Sequence, residues 1–267
     1  MQIAEPLAAS WKAELSLGFE RTDGRTVLAH KRHDGPLVVQ RALYPEGGDV
    51  CHAIVVHPPA GIAGGDELSL LVHSGSSACA QLTTPGAGKW YRSAGPWAAQ
   101  RLSFDVGGAL EWLPQETIIF DGALADLSTE VRLSGDAVYV GWEILCFGRS
   151  GSGERFARGT VRLSSRISKD GKLVWLERGR IDGGGKLMQS NAGLGGRTVC
   201  GTLVAAGPSL AATRIDGLAL TRLPDVLVAR YLGDSSEEAK QLFSRLWAAL
   251  RPGLLGREAH EPRIWRT

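Results

Sequence analysis

The stretch Glu67-Leu68-Ser69-Leu70-Leu71-Val72 decides the fold. Its apolar side chains fall mainly on one face of an extended chain, the signature of a half-buried strand. The same texture extends outward in both directions. Residues 37–43, 51–57, 67–73, 78–84, 100–106, 129–133, 137–147, 160–167, 172–177, 197–206 and 225–232 read as β-rich runs. Between them lie turn clusters such as Pro45-Glu46-Gly47-Gly48-Asp49. Thirty-five of 267 residues are glycine, nearly double the usual ~7% share. Many short strands separated by such turns mean an all-β sandwich, barrel or solenoid. No repeat of fixed period is visible, so a strict propeller is not supported.

One helix stands out at the carboxyl end. Ser235 followed by Glu238 forms a capping box, and Ala239, Leu242, Phe243, Leu246, Trp247 and Leu250 recur at the helical period. Arg251-Pro252-Gly253 is expected to stop it. A second, weaker helix is expected around Ile215 to Leu220. No linker divides the chain, so the expectation is one domain over residues 1–267, mainly β, with one or two helices towards the carboxyl end.

Composition narrows the function classes. Hydrophobic residues make up 43% of the chain and the net charge is +2, which gives no global reason to bind nucleic acid or membrane. The opening MQIAEPLAASWKAEL lacks the basic start and apolar run of a signal peptide. Cys51, Cys79, Cys146 and Cys200 stand singly, as small buried hydrophobes do. The expected compartment is the cytoplasm. Charge is uneven along the chain. Residues 102–131 hold six acids and no Lys or Arg, whereas residues 149–180 hold nine bases against three acids. Such blocks are either solvated faces or a partner surface.

Motif tests are mostly negative. Gly88-Lys89 is followed by Trp90 and Gly185-Lys186 by Leu187, so neither completes a phosphate-binding P-loop. Gly148-Arg149-Ser150-Gly151-Ser152-Gly153 reads better as a turn than as an anion nest. The Gly-x-Ser-x-Gly elbow of serine hydrolases does not occur. No close-spaced set of cysteines and histidines marks a zinc site, Cys51-His52 with His57 being the densest soft-ligand group.

Two segments are dense in special residues. In His57-Pro58-Pro59-Ala60-Gly61-Ile62-Ala63-Gly64-Gly65-Asp66, fixed and permissive φ angles alternate, so the chain turns sharply and delivers Asp66 to the next strand. In Leu110-Glu111-Trp112-Leu113-Pro114-Gln115-Glu116-Thr117-Ile118-Ile119-Phe120-Asp121, Pro114 marks a bulge or an edge. Glu116 is expected on the same face as Ile118 and Phe120. Acids among apolar strands mean a polar interior path, a buried pair or an acid capping a turn.

These segments carry a resemblance. Gly35-Pro36-Leu37-Val38-Val39-Gln40-Arg41 with Tyr44-Pro45-Glu46 leads into the His57 to Asp66 run. Thr84-Pro85-Gly86-Ala87 with Lys89-Trp90-Tyr91-Arg92-Ser93, Leu110 to Glu116, and Gly148-Arg149 with Gly153-Glu154 and Phe156 follow. The order closes on Leu250-Arg251-Pro252 and Pro262-Arg263-Ile264-Trp265. The whole resembles the urease accessory protein D family, called H in some bacteria. Ala60 stands where that family often has Gly, and Gly88 where a hydroxyl residue is common.

The resemblance implies a β-helix-like or layered scaffold with no catalytic residues and no tightly bound cofactor. It implies a maturation factor that bridges apo-urease to accessory proteins F and G, G being the GTPase, and a water-filled route for transient passage of Ni2+. A conduit needs carboxylates and imidazoles in incomplete sets, because a closed cage would trap the ion. The candidates for the route are Asp66, Glu177 and Glu143, then Glu111, Glu116 and His57. Pro58, Pro59, Gly61, Gly64, Gly65 and Pro114 shape the backbone. Arg251, Arg257, Arg263, Trp265 and Arg266 with the capped helix are candidates for docking a partner, and Trp90, Tyr91 or Trp97 for interface aromatics. Two rivals stay open: an assembly scaffold without a conduit, and a metal-dependent hydrolase using His57, Asp66 and Glu116.

Overall fold

A computed structural model describes residues 10–210 and 214–266. The first nine residues, on which most of the leader argument rests, lie outside the described residues. The chain opens as an antiparallel hairpin of β1 (Lys12–Thr22) and β2 (Arg25–Asp34). No strand is expected from the sequence before residue 37. In β2 the Lys, Arg, His and Asp side chains leave most of the strand exposed and erase the alternation, whereas β1 does alternate, burying Ala13, Leu15, Leu17 and Phe19. Next come β3 (Val38–Leu43), β4 (Cys51–Val56), the two-residue β5 (Gly61–Ile62), β6 (Glu67–Ser74) and β7 (Cys79–Thr83). They are followed by β8 (Gly88–Trp90), β9 (Ala98–Val106), β10 (Ala109–Trp112), β11 (Thr117–Ile119), β12 (Leu124–Leu133) and β13 (Val138–Phe147). The chain continues through β14 (Thr160–Lys169), β15 (Lys172–Asp182) and a one-turn helix α1 (Lys186–Gln189). It ends with β16 (Val199–Ala206), β17 (Ala219–Arg222), β18 (Val226–Gly233) and helix α2 (Ser236–Leu255).

The strands form two layers. One is a seven-stranded sheet in the order β15-β14-β12-β9-β6-β1-β2; the other follows β17-β18-β16-β13-β10-β7-β4-β3, with β5, β8 and β11 paired at its flank. Between β6 and β14 the chain steps from one layer to the other and back. β6, β9, β12 and β14 stack in parallel in the first sheet, and β4, β7, β10 and β13 in the second. The protein is therefore mainly β and layered in the manner of a β-helix. The coils share no repeat because their strands run from three to ten residues. Antiparallel pairs close the ends, at β1 with β2, β3 with β4, β14 with β15, and along β13, β16, β18 and β17.

Strand alternation sorts the side chains into two cores. Leu15, Leu17, Phe19, Leu70, Val72 and Phe104 from the first sheet meet Leu82, Leu110, Trp112, Tyr139 and Leu145 from the second. On the far face of the second sheet, Val140, Trp142, Ile144, Leu203 and Leu227 pack under Phe243, Leu246, Trp247 and Leu250 of α2. The second sheet is thus covered on both sides, which is why β13, β16 and β18 read as continuous apolar runs.

At the start of α2, Ser235 accepts a hydrogen bond from the Glu238 N–H at 3.1 Å, as its cap. Its end departs from expectation. The helix runs through Pro252 to Leu255 and closes at Gly256 in the left-handed conformation. Pro252 lacks a donor, but Leu254, buried against the second core, holds the extra turn in place. The helix expected around Ile215 to Leu220 is not formed. Gly217 adopts φ +93° in a turn, and residues 219–222 pair with β18 instead. Residues 211–213 lie outside the described residues. Pro114 falls in the gap between β10 and β11.

Candidate functional site

The two sheets do not close completely on each other. Between them lies a cavity of about 890 Å³, lined from both layers. The parity that sends Tyr139 and Leu145 of β13 inward sends Glu143 inward as well. Thr202 of β16 and Arg230 of β18 share this face through the registers Glu143 with Thr202 and Thr202 with Arg230. From the opposite sheet, β15 contributes Glu177, in register with Ser165 of β14. Further along, Thr129, Gln100 and Gln115 line the space, with His57 just after β4 and Lys89 on β8.

The electrostatics of this cavity are uneven. Glu177 pairs with Arg230 at 2.8 Å, and Arg230 donates to the Thr202 hydroxyl at 3.1 Å. Among the described residues Glu143 enters no hydrogen bond or ion pair. Burial, reinforced by the negative charge of Glu177, pushes its carboxyl up to about 7. The Cys200 thiol on the same face is pushed up to about 12, first by burial and then by the Glu143 charge. His57 Nε2 is buried without a hydrogen-bond partner. Burial lowers the His57 pKa, against the opposing pull of Asp66.

His57, Glu143 and Glu177 therefore share one cavity. The other three candidates do not line it. Asp66 is 4% exposed and accepts the backbone N–H groups of Trp11 and Ala63, both at 2.8 Å. It ties the turn before β6 to the start of β1. Glu116 sits half-buried between β10 and β11, its charge felt by Cys146 and Lys240. Glu111 lies on the opposite face of the second sheet, fully buried. It accepts from Trp247 Nε1 at 2.5 Å, Arg251 Nε at 3.0 Å, Arg251 Nη2 at 3.1 Å and Gln81 Nε2 at 3.2 Å.

That second cluster extends to the loop after β3. Arg251 also reaches Glu46 at 2.6 and 2.8 Å and donates to the Glu258 carbonyl. Glu46 in turn meets His52 at 2.6 Å. Burial raises the Glu46 pKa, but hydrogen bonds from His52 and Arg251 outweigh it and hold the carboxyl down at about 2. Arg251 is 1% exposed, so the guanidinium expected on a partner surface is internal. Trp90, one of the aromatics expected at an interface, is likewise core at 1% exposure. Trp265 is half-buried, stacked near Trp142 and Trp247, with its Nε1–H on the Thr83 hydroxyl at 2.8 Å. Arg257 pairs with Asp49 at 2.7 Å, Arg266 pairs with Glu261 at 3.3 Å, and Arg263 and Tyr91 are exposed.

The backbone motif does what its residues require. Pro58 and Pro59 turn the chain after β4. A Cβ on Gly61 would lie 2.0 Å from the Tyr91 ring, so β5 approaches that ring only as glycine. Gly64 sits beside Ser93 and Pro96, and Gly65 takes φ +98°. The sequence offered no signal for Arg230 or Thr202, and it marked Glu46 only as part of the Tyr44-Pro45-Glu46 motif, not as a partner of Arg251. Arg230 is one charge in the apolar run 226–232, where a strand buried on both faces hides which side it points to. Among the described residues no three His, Cys, Asp or Glu side chains converge to hold a metal ion, and no helix is long and apolar enough to cross a membrane.

A layered β scaffold with a mostly apolar cavity that carries carboxylates between its sheets, capped by one amphipathic helix, is the class that this fold and site define. The sequence matches the family described as UreD urease accessory protein over residues 12–266, and the chain belongs to that family. It is 55% identical over 269 residues to urease accessory protein UreD of Azoarcus sp. (strain BH72), covering 96% of this chain and 94% of that one. Urease accessory protein UreD of Dechloromonas aromatica (strain RCB) is 53% identical, covering 97% and 95%. Urease accessory protein UreD 2 of Pseudomonas syringae pv. syringae (strain B728a) is 49% identical, covering 97% and 96%.

Proposed function

We propose that this chain is a non-catalytic urease maturation factor of the cytoplasm. It binds apo-urease and the accessory proteins F and G, and passes nickel toward the urease active site through the cavity between its sheets. One observation carries the reading: His57, Glu143 and Glu177 face a single internal space in a member of the urease accessory family. Nickel is cargo here, not a resident cofactor. An ion in transit needs ligands that offset its lost hydration without completing a cage. Among the described residues Glu143 has no partner to give up, and it offers its carboxylate once ionised. Glu177 divides its charge between the cavity and Arg230, which weakens its hold, and the unpartnered His57 Nε2 adds one imidazole.

The test is co-expression of the chain with urease subunits and accessory proteins, comparing wild type with Glu143→Gln/Glu177→Gln. Partner capture and urease nickel content are read from the same samples. Intact complexes with urease nickel below half of wild type are expected. Intact complexes with full nickel would reduce the protein to an assembly scaffold, and urease activation without any capture of this chain would remove the docking role itself.

A further inference from the structure

The acidic and basic blocks of the sequence meet very different fates in the fold. In the acidic block, Glu111 is held by Arg251, Asp121 by Arg158 at 2.6 Å, Asp126 by Arg101 at 2.9 Å, and Asp105 and Glu130 by Arg132. The basic block is only partly matched. Arg149 pairs with Glu154, Arg158 with Asp121, Lys169 with Asp225 and Arg180 with Asp182, and Arg162 stacks over the Trp97 ring at 3.9 Å. Among the described residues Arg155, Arg166, Lys172 and Arg178 enter no ion pair.

Arg166 and Arg178 lie on the outer face of the β14–β15 hairpin. Val161, Ile167 and Ile181 are buried inward, so alternation turns Arg162, Arg166, Arg178 and Arg180 outward. Arg162 and Arg180 stand directly opposite each other, and Arg166 faces Leu176. Asp182 offsets Arg180 and the Trp97 ring takes up Arg162, which leaves Arg166 and Arg178 as the charges of this face without a partner among the described residues. Beside them, Leu173 and Leu176 are each 44% exposed, two of the most exposed large apolar side chains among the described residues. β15 is also the terminal strand of its sheet.

We propose that this outer face of β14 and β15 is a docking surface for an acidic protein face, with Leu173 and Leu176 as its apolar contact and Arg166 and Arg178 as its unpaired charges. The occupant is a component of the urease maturation assembly, so the proposal rests on the docking role above and names the face that performs it. Net charge of only +2 over the whole chain argues that the attraction is local, and unpaired arginines flanking apolar side chains match an acidic protein rim better than a uniform anionic film.

The experiment compares full-length wild type with Arg166→Glu/Arg178→Glu and Arg166→Lys/Arg178→Lys. Capture of urease subunits and accessory proteins is measured on co-expression, and binding of each purified chain to immobilised poly-L-glutamate and to phosphatidylglycerol vesicles is measured separately. The reversal is expected to weaken capture of one component and poly-glutamate binding about tenfold, with the lysine variant retaining most of both. Capture of that component by the reversal variant at wild-type level would overturn the proposal. So would reversal-sensitive binding to vesicles with none to poly-glutamate, which would assign the face to a membrane surface. If wild type captures no component, the docking role fails on its own, and poly-glutamate binding insensitive to reversal then removes the acidic-partner chemistry too. Thermal unfolding of each variant separates lost docking from lost fold; with two exposed, unpaired charges changed, the midpoints are expected to stay within about 2 °C of wild type.

Discussion

The two faces of the larger sheet bury acids in opposite ways. On the outer face, under α2, Glu111 and Glu46 are clamped by Arg251, with Trp247, Gln81 and His52 filling the remaining positions. On the inner face, among the described residues, Glu143 looks into the cavity with no hydrogen-bond or ion-pair partner, and its neighbour Glu177 pairs with Arg230. Two strands, β10 and β13, run side by side in parallel and present one carboxylate to each environment. The difference teaches what each acid is for. A buried carboxylate saturated with donors is part of the structure, whereas one left open to a cavity roomy enough for many waters is available to a passing cation.

The outer cluster depends most on Arg251. Arg251→Met removes the shared partner of two buried carboxylates, and the expected loss is about 3–5 kcal/mol in urea unfolding. Adding Glu111→Gln and Glu46→Gln to the same chain is expected to recover most of it, because uncompensated charge and not lost packing carries the penalty. A loss below about 1 kcal/mol for Arg251→Met would mean that the outer acids are not clamped.

Next in size is the pH response of the inner face. The folded chain holds the Glu143 proton more tightly than the unfolded chain, since its carboxyl is pushed from the ordinary 4.5 up to about 7. Its contribution to stability is therefore fully favourable at low pH and is lost as pH rises from about 4.5 through 7. Glu46, held down at about 2, behaves in the reverse sense, contributing above 4.5 and losing that contribution as pH falls toward 2. Glu143→Gln is expected to be close to neutral at pH 5 and to stabilise by about 1–2 kcal/mol at pH 8, cavity water reducing the full effect. Taking the difference between variant and wild type at each pH cancels the titration of His57. An equal effect at both pH values would place Glu143 in an ordinary solvated setting. The same titration makes cation retention in the cavity rise with pH through neutrality, readable as nickel bound per chain by equilibrium dialysis.

Much of this contrast was legible in the sequence only as unassigned acids. The capping box at Ser235 and Glu238 is a local interaction, so the helix start could be read residue by residue. The strands of residues 67–73 and 100–106 alternate because one of their faces meets solvent. The runs 137–147 and 197–206 do not alternate, because the sheet they form is covered by a second layer on one side and by α2 on the other. Nothing in such a run says that residue 143 faces inward while residue 111, one strand away, faces out. That assignment depends on register between strands far apart in the chain. Arg251 was expected on a docking surface with the other arginines of the carboxyl end, whereas the helix continues past it to Leu255 and buries it over Glu111.

The smallest expected effect sharpens the comparison by asking how far each face is coupled to the carboxyl-terminal segment. Trp265→Phe keeps an aromatic ring near Trp142 and Trp247 but removes the donor to the Thr83 hydroxyl. Thr83 still donates to the Leu113 carbonyl at 2.6 Å, so the expected cost is about 1 kcal/mol. Arg251 grips the same segment through the Glu258 carbonyl, which links it to Trp265. Trp265→Phe with Arg251→Met should therefore depart from additivity by about 0.5 kcal/mol or more in a double-mutant cycle. Trp265→Phe with Glu143→Gln should add within about 0.3–0.5 kcal/mol, since Glu143 points into the cavity and Trp265 packs on the opposite face of the sheet. Strong coupling in the second cycle would mean that the clamped face transmits its state to the cavity, and the division between a structural face and a conducting one would fall.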